Sequence, residues 1–484
     1  MISLLIPEKD LPYNPKDRES VAKYTKLLEN KTLRDYAYVP GGLDNVKNKG
    51  LYGQKIENLF FFIKTNNHAG ADFPDIPLEL KTAGLRPTSS RDRHKNISGK
   101  WKSKEALPMS AISFVDIVNE DFFSSRFLEK NKNILLIFYK FEANKVVYDL
   151  EIKVTGVWSF SEIPDHDKKI IMDDWEKIKS LVIHGEAHNI SRKDTNYLEA
   201  MPSATSDSMT SQPFGPKART RKFSFKAGYM HSVIAKLGSE KTNTVSLFKK
   251  ADKNISLSEK INDKFKPYIG MDTNLIASSI DVSIEDCKQA FSILSKRLVK
   301  AIFNVPEKGN IEEYVEEFSK AEVTIKTIRI NKDNLPKEHV SFPAFKYEEI
   351  VNQSWDTSDF KSHIDKKFLF IFFKESDSSF FLDRAVYWNM SSNHVNEAKK
   401  VWDKTRELIQ LGTIVKNVKH NRRYTYFPAS KDNLVAHVRP HAKDAKDTYK
   451  LPVNDIYTKS SKYTKHCFWF NREYVKDYIY NLKN

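Results

Sequence analysis

The feature of this chain that most constrains its fold is a long internal repeat. The stretch "FSFKAGYMHSVIAKL" at residues 223–237 resembles "FWFNREYVKDYIYNL" at residues 468–482, with aromatic residues matched at one constant offset. Four further pairs occur in the same order in both halves: "ELKTAGLR" with "TIKTIRI", "AISFVDIVNEDFF" with "FPAFKYEEIVNQSW", "ILLIFYKFE" with "FLFIFFKES", and "DDWEKIKSLVIHG" with "KVWDKTRELIQLG". Five matches in one order predict two homologous modules, over residues 1–240 and 311–484.

Each module has the pattern of an α/β fold. A buried apolar run such as "ILLIFYKFE" predicts a central strand, and the helix after it carries a tryptophan and ends at a glycine. A strand, a turn and a last helix close each module. Residues 241–310 differ, because "SIEDCKQAFSILSKRLVKAIF" has its apolar residues at helical spacing. We therefore expect a helical segment that joins the two modules.

The charge balance points to a polyanionic partner. The chain of 484 residues has a formal net charge of +16 and an isoelectric point near 9.3. Nucleic acid is the first candidate partner for such a protein, and a generally basic proteome is the alternative. The two cysteines, Cys287 and Cys467, are far apart, which argues against a disulfide framework or a zinc site. Neither a signal peptide nor a membrane span is visible, so we expect a cytoplasmic protein.

The segment "DFPDIPLELKTAG" at residues 72–84 contains the most reactive group of side chains. We expect it to form a short strand, in which successive side chains point to opposite faces. Glu79 and Lys81 would then share one face. The opposite face would carry the apolar residues Ile76, Leu78 and Leu80.

Acids and a lysine in this arrangement predict a metal-dependent cutting site. Carboxylates hold Mg²⁺, which prefers oxygen ligands, and a nearby lysine can orient the water that attacks a phosphodiester. Asp72, Glu79 and Lys81 fit that chemistry, with Asp75 as a secondary candidate. Glu57, beside the apolar face of a predicted helix, could also reach the metal. The alternative is a salt-bridged strand surface with no catalytic role.

Two basic, serine-rich segments flank this site. Residues 86–105 follow it directly, and residues 201–222 precede the closing strand of the module. They are either solubilising loops or DNA-contacting segments. In a nuclease, phosphate contacts would come from Arg219, Arg221, Lys222 and Lys226. Tyr229 would either contact a base or pack in the core.

The order of residues at 48–84 adds a family resemblance. A Lys-Gly pair beginning at Lys49 is followed by Glu57, Asp72 and the triplet Glu-Leu-Lys at residues 79–81. This arrangement resembles the active-site stretch of the MutH family, within the restriction-endonuclease-like superfamily. The resemblance implies a mixed-sheet core flanked by helices. It also implies roles for individual residues: Asp72 and Glu79 as metal ligands, Glu57 as a supporting acid, Lys81 as the catalytic lysine, Lys49 as a further residue of the catalytic site, Lys130 as a DNA-binding lysine, and Tyr229 at an aromatic position of the DNA-reading turn.

The whole chain is similar to two-domain restriction endonucleases of the Sau-three-A type. The resemblance includes "AGYMHS", "HVRPH" and the ending "FWFNREYVKDYI". It implies recognition of GATC in duplex DNA. Module one departs from the family pattern in its base-reading loop, where it has "MPS", whereas module two keeps Arg439 and His441 at the corresponding place. Module two also has Thr324 opposite Glu79, so that Lys326 lacks a carboxylate partner.

The sequence thus predicts a magnesium-dependent type II restriction endonuclease that cuts GATC sites. Module one would hydrolyse DNA, and module two would bind a second site as a tether or an effector, with possible DNA-dependent dimerisation. One alternative is a mismatch-repair nicking enzyme of the same family. Another, from a different class, is a regulator in which both modules bind GATC without cutting it.

Overall fold

A computed structural model of the chain describes residues 2–36, 49–64, 70–88, 99–203, 208–284, 291–377, 379–420 and 422–482. The described chain divides into two compact units. Unit one combines Met1–Lys260 with Gly309–Glu322, and unit two combines Ile261–Lys308 with Val323–Asn484.

The strands follow the chain through both units. Unit one contains β1 (Glu79–Pro87), β2 (Trp101–Ser103), β3 (Leu107–Ala111), β4 (Asn133–Lys140), β5 (Ile152–Ser159), β6 (Leu198–Pro202), β7 (Met209–Thr210), β8 (Ala218–Arg219) and β9 (Arg221–Phe225). Unit two contains β10 (Thr324–Ile330), β11 (Val340–Ser341), β12 (Phe368–Glu375), β13 (Phe380–Trp388), β14 (Val415–Lys419), β15 (Arg422–Thr425), β16 (Ala436–Pro440), β17 (Thr448–Lys450), β18 (Lys462–Thr464) and β19 (His466–Phe470).

The described α-helices are numbered in the same way. They are α1 (Arg18–Thr25), α2 (Lys49–Leu59), α3 (Arg126–Asn131), α4 (Asp165–Ile183), α5 (Ala227–Leu237), α6 (Leu257–Phe265), α7 (Thr273–Ser279), α8 (Phe291–Ile302), α9 (Ile311–Tyr314), α10 (Glu316–Ala321), α11 (Tyr347–Ile350), α12 (Asp359–Ile364), α13 (Ser392–Gln410) and α14 (Arg472–Val475). None of the helices in the described ranges is long and apolar enough to cross a lipid bilayer.

The larger sheet of unit one has the strand order β2-β1-β4-β5. Its central strands β1 and β4 run parallel, with Glu79 opposite Ile134, whereas β4 and β5 are antiparallel. Five successive residues of β4, 134–138, are buried, as expected for a strand that is covered on both faces. Parallel neighbours need a crossover connection, which the chain between β1 and β4 supplies and which ends in α3.

Helix α2 packs on this sheet through its apolar side. Tyr52 and Ile56, one turn apart, share a buried core with Leu80 of β1 and with Leu135 and Ile137 of β4. Because residues four apart lie on the same side of a helix, this contact sets the orientation of α2 relative to β1. The sheet therefore fixes both elements that carry the predicted acids.

Unit two repeats the arrangement of unit one. Strands β10 and β12 are parallel and β12 and β13 antiparallel, as β1, β4 and β5 are. The antiparallel pairs even share a register shift, after Phe138 in one module and after Phe372 in the other. A second, three-stranded sheet also recurs, with the order β3-β9-β6 in unit one and β11-β19-β16 in unit two.

The long helices α4 and α13 match in the same way. Each has 19 residues, and Trp175 and Trp402 occupy the same position in them. Both tryptophans are buried, which confirms that they belong to the core. Each helix is followed by a glycine with positive φ, Gly185 and Gly412, in the conformation that the predicted C-caps require.

The segment between the modules is helical where the structure describes it. Helices α6, α7 and α8 lie within residues 241–310, and residues 285–290 of the predicted helix fall outside the described chain. The assignment of residues 1–240 to catalysis, 241–310 to connection and 311–484 to DNA binding remains a prediction.

Candidate active site

A tight loop, rather than a continuous strand, carries the first acid of the site. The sequence predicted a strand that includes Ile76 and Leu78, but β1 begins only at Glu79. Phe73 and Leu78 pair through both of their backbone amides and close a turn over the residues between them. The turn reverses the chain, so that Oδ2 of Asp72 accepts a 2.8 Å hydrogen bond from the amide of Leu80. The loop thus returns Asp72 to the start of the strand.

The second acid and the lysine share one face of β1, as the alternation of side chains predicted. Lys81 Nζ lies 2.6 Å from Glu79 Oε1. Lys130, in the last turn of α3, places its Nζ 3.6 Å from the same oxygen. Glu79 therefore has two ammonium groups on one carboxylate oxygen.

Burial makes this pair of acids electrostatically strained. Glu79 is only 3% exposed, and its Oε2 is a buried atom without a hydrogen-bond partner among the described residues. Burial, followed by the nearby charge of Glu79, raises the pKa of Asp72 to about 6. The Leu80 amide, Lys81 and Lys130 lower the pKa of Asp72 but do not cancel the increase. A divalent cation between the carboxylates would relieve this repulsion and satisfy the buried oxygen.

The two carboxylates fit a magnesium site in number and kind. Mg²⁺ binds oxygen ligands, keeps several waters, and commonly takes only one or two carboxylates from a protein. The described residues contain no cluster of three His, Cys, Asp or Glu side chains that could hold an ion, so Glu57 does not complete such a group with Asp72 and Glu79. A role for Glu57 as a third metal ligand remains a prediction.

Helix α2 brings Glu57 to the side of β1. A Cβ added to Gly53, one turn before Glu57, would lie 3.4 Å from Oγ1 of Thr82 in β1. Glu57 lies one turn further along the same side of the helix and is partly buried. Lys49 is the first residue of α2, and its side chain lies outside the described part of the structure. Asp75 is exposed in the turn after Asp72, away from the buried pair.

Two of the predicted phosphate contacts of module one lie in the interior. Lys226 is 2% exposed, its Nζ donates to the carbonyl oxygen of Thr195 at 2.6 Å, and burial lowers its pKa. Arg221 is buried and donates to the carbonyl of Ala200. The structure does not support the predicted phosphate contacts of these two residues, because Arg221 on β9 and Lys226 directly after it both donate to backbone carbonyls.

Tyr229 belongs to the core, which decides between its two alternatives. Its ring stacks on Tyr197 with centroids 5.2 Å apart, and its hydroxyl accepts a 3.1 Å hydrogen bond from Trp158 Nε1. By contrast, Lys222 is exposed on β9 and Arg219 is partly exposed on β8. These two residues keep access to a ligand. Residues 89–98 and 204–207 of the two flanking basic segments lie outside the described residues.

Module two lacks the acid pair at the equivalent place. Thr324 begins β10, as Glu79 begins β1, and Lys326 Nζ donates to the carbonyl of Ser341 at 3.4 Å. Arg439 and His441 are exposed and both lie near Trp469, with the Arg439 guanidinium and the His441 ring 5.2 Å and 5.5 Å from its ring centre. The hairpin of β14 and β15 was not predicted, although its run of basic residues without an acid is visible in the sequence.

Comparisons with known proteins agree with the internal repeat and with the site. The family model described as DNA mismatch repair enzyme MutH matches residues 61–174 and 310–404, one region in each module. The chain is also 30% identical over 483 residues to the Type II restriction enzyme Sau3AI of Staphylococcus aureus, covering 91% of this chain and 94% of that protein. The predicted family and the duplicated restriction-endonuclease-like fold are confirmed. The chain therefore belongs to the MutH/Sau3AI family of site-specific endonucleases.

Proposed function

We propose that this protein is a magnesium-dependent type II restriction endonuclease that hydrolyses duplex DNA at GATC sites. The observation that carries the proposal is the pair of the partly buried Asp72 and the buried Glu79, with Lys81 and Lys130 on one oxygen of Glu79. Most buried polar side-chain atoms in proteins have a hydrogen-bond partner, whereas Oε2 of Glu79 has none among the described residues. This arrangement favours a metal-dependent cutting site over a salt-bridged surface.

The side chains of module one have distinct roles in the proposed reaction. Asp72 and Glu79 hold the cation through carboxylate oxygens. When bound, Mg²⁺ polarises the scissile phosphate and makes a bound water more acidic. Lys81 can donate hydrogen bonds to the attacking water, because its ammonium group already lies against the Glu79 carboxylate. Lys130 adds positive charge where the phosphate gains negative charge in the transition state.

Different observations support the GATC preference and the role of module two. GATC is what the family resemblance implies, and similarity to Sau3AI along nearly the whole chain supports it. Module two has a hydroxyl at Thr324 in place of the Glu79 carboxylate, which would weaken metal binding. We infer that module two binds a second site without cutting it and tethers or activates module one.

A nicking enzyme is the second candidate function. The matching family model describes a mismatch repair enzyme, and a nicking enzyme would cut one strand and depend on partner proteins. A non-enzymatic regulator is disfavoured by the intact acids and lysine of module one. The similarity to a restriction enzyme over both modules favours cleavage of both strands.

Purified protein, unmethylated plasmid and Mg²⁺ are enough to test the proposal. We expect linear fragments whose sequenced ends all lie at GATC, and no cleavage by the matched Glu79→Gln variant. Fragments with ends at another sequence would refute the GATC assignment. Accumulation of open circles from the pure protein would identify the nicking enzyme. Binding without any cleavage by the wild-type protein would identify the regulator.

We also place the protein in the cytoplasm, where incoming DNA would be met, and propose that DNA can bring two copies together. Sedimentation of the protein with a one-site duplex would show a complex of two chains and two duplexes. A complex with a single chain at every protein concentration would exclude the dimer.

A further inference from the structure

The hairpin of β14 and β15 distinguishes module two from module one. After the glycine that follows the long helix, residues 186–197 lead to β6 in module one, and residues 413–435 lead to β16 in module two. The connection in module one is fully described and contains no strand, whereas the connection in module two is nearly twice as long and forms the hairpin. The additional residues of this connection, and the hairpin that they form, therefore occur in module two and not in module one.

The base of the hairpin is held rigidly. Asp455 is fully buried and accepts hydrogen bonds from the amides of Ile414 and Val415, at 3.1 Å and 2.9 Å. Val415 and Phe427, at the two ends of the hairpin, are also buried. The core of unit two thus fixes the direction in which the hairpin projects.

Beyond its base, the hairpin exposes both of its faces. Val418 and Arg423 pair across the strands and share one face, while Asn417 and Tyr424 share the other. Val418 is 40% exposed and Tyr424 is 44% exposed. A two-stranded ribbon with both faces in water is only marginally stable by itself, so a ligand that packs against it would stabilise it.

The charge of the hairpin indicates the chemistry of that ligand. The chain has no Asp or Glu from residue 408 to residue 430, and it has four basic residues there: Lys416, Lys419, Arg422 and Arg423. Within the described chain, the ammonium of Lys416 and the guanidinium of Arg423 lie over the rings of Tyr426 and Tyr463, at 5.7 Å and 5.4 Å from the ring centres. The positive charge of the hairpin is thus not neutralised by acids of its own segment.

The neighbouring helix α13 shows the opposite pattern. Its exposed lysines pair with acids of the same helix: Lys399 with Asp403 at 2.6 Å, Lys400 with Glu397 at 2.6 Å, and Lys404 with Glu407 at 3.0 Å. An ordinary solvated surface in this unit therefore has balanced charges. The hairpin does not, which favours a polyanionic ligand over solvent.

The hairpin lies beside the residues already expected to meet DNA in module two. The ring of Tyr463, under Arg423, stacks on His466 with centroids 5.4 Å apart. His466 pairs with Pro440 in the ladder between β16 and β19, next to Arg439 and His441. The hairpin is therefore linked to Arg439 and His441 through the packed rings of Tyr463 and His466.

We propose that the β14–β15 hairpin binds the sugar-phosphate backbone of the second DNA site. This inference rests on the proposed binding of DNA by module two and names the element that provides the added contacts. A two-stranded ribbon fits the major groove of B-DNA. Contacts from Lys416, Lys419 and Arg423 to phosphates add affinity and set the register of the DNA, whereas they carry no sequence information.

A triple variant, Lys416→Ala with Lys419→Ala and Arg423→Ala, tests the proposal in the full chain. Fluorescence anisotropy with a two-site duplex, in buffer without divalent ions, gives the affinity between about 50 and 200 mM salt. We expect binding at least about tenfold weaker at 100 mM salt and a salt dependence less steep by about two to three, since each lost phosphate contact removes roughly 0.9 from the slope. A scrambled duplex should be affected to a similar extent.

The matched control removes three charges from α13, by Lys399→Ala, Lys400→Ala and Lys404→Ala. This control should bind both duplexes as the wild type does, and both variants should keep the wild-type circular dichroism and melting temperature. A hairpin variant with the affinity and slope of the control would overturn the proposal. A change in self-association alone, measured by sedimentation, would identify the hairpin as a protein interface and would also overturn it.

The proposed DNA contacts of the hairpin and the proposed effector role of module two can be refuted separately. If wild-type protein cuts one-site and two-site DNA equally fast per site, module two is not an effector, yet a flatter salt slope in the hairpin variant would still support the backbone contacts. If two-site DNA is cut faster and the hairpin variant keeps the wild-type slope, the effector role stands and the hairpin assignment is wrong.

Discussion

The amide of Leu80 donates a 2.8 Å hydrogen bond to Oδ2 of Asp72, and this bond holds the two acids of the site together. It spans a turn that Phe73 and Leu78 close through their backbones. Because Leu80 follows Glu79 directly, the same bond places the Asp72 carboxylate near the Glu79 carboxylate. The consequence is the raised pKa of Asp72, in which the charge of Glu79 is the second cause after burial.

Replacement of the buried acid should abolish cleavage and spare DNA binding. Glu79→Gln keeps the shape of the side chain but removes the charge that would hold the cation, so we expect cleavage to fall by about 100-fold or more. Affinity for a GATC duplex without metal should change less than about threefold. Asp75→Asn, in the exposed turn, is the matched control and should cut normally. Full activity of Glu79→Gln would remove this residue from the site.

The pH dependence of stability should report the strain at Asp72. Its pKa is about 6 in the folded state and about 4 in the unfolded chain, so the folded state binds more protons between these values. The proton on Asp72 therefore favours the folded state. This contribution to the free energy of unfolding is fully present below about pH 4 and is lost as the pH rises through 6. Asp72→Asn should be more stable than the wild type by about 1–2 kcal/mol at pH 8 without metal.

The effect of Mg²⁺ on thermal stability tests the same residue in a second way. At pH 8, Mg²⁺ should raise the melting temperature of the wild type and have a much smaller effect on Asp72→Asn, because only the wild type has both carboxylates. Thermal melts at pH 5 and pH 8, with Mg²⁺ and with a chelator, give all four values. Equal stabilisation of the two proteins by Mg²⁺ would mean that the cation binds elsewhere.

Loss of the lysine on β1 should impair the chemical step. The ammonium of Lys81 lies 2.6 Å from Glu79, so Lys81→Ala should reduce the single-turnover cleavage rate by about 100-fold, within the range for a group that transfers or positions a proton. Lys132→Ala, an exposed lysine that follows α3, serves as the control and should cut at the wild-type rate. Unchanged cleavage by Lys81→Ala would show that this lysine has no catalytic role.

Gly228 should be irreplaceable for a steric reason. A Cβ at Gly228 in α5 would lie 2.2 Å from the backbone oxygen of Ser319 in α10, and a backbone atom has little freedom to move. We expect Gly228→Ala to lower the free energy of unfolding by about 1–3 kcal/mol, as overpacking does. Gly70→Ala is the control, since a Cβ at Gly70 meets none of the described residues within 4 Å. Urea denaturation of both variants measures the difference, and equal midpoints would contradict the close approach of α5 and α10.

The number of sites on the DNA should affect the rate of cleavage. If module two binds one GATC site while module one cuts another, DNA with two sites is cut faster per site than DNA with one, because the second encounter is intramolecular. Matched plasmids with one and two sites, at equal total site concentration, measure the ratio. A ratio near one would leave the nuclease intact and remove the effector role. The control plasmid carries a scrambled second site and should behave as a one-site DNA.

The repeated pattern in the sequence determined much of this fold. Apolar runs at strand and helix spacing predicted both modules, and burial of Trp175 and Trp402 follows from the same patterns. Order and spacing also singled out Asp72, Glu79 and Lys81, and Glu79 and Lys81 are neighbours because they lie on one face of a strand. These are local relationships, and a sequence records them directly.

Relationships between distant segments were decided only by the tertiary structure. The approach of Lys130 to Glu79 depends on how α3 and β4 pack against β1. The same applies to Lys226, which was predicted to contact phosphate, and to Tyr229, for which a base contact and core packing were both open. They are buried against Thr195 and Tyr197. Charge and residue type do not reveal which side of a strand or helix the core will cover, because that depends on packing partners that lie far away in the chain.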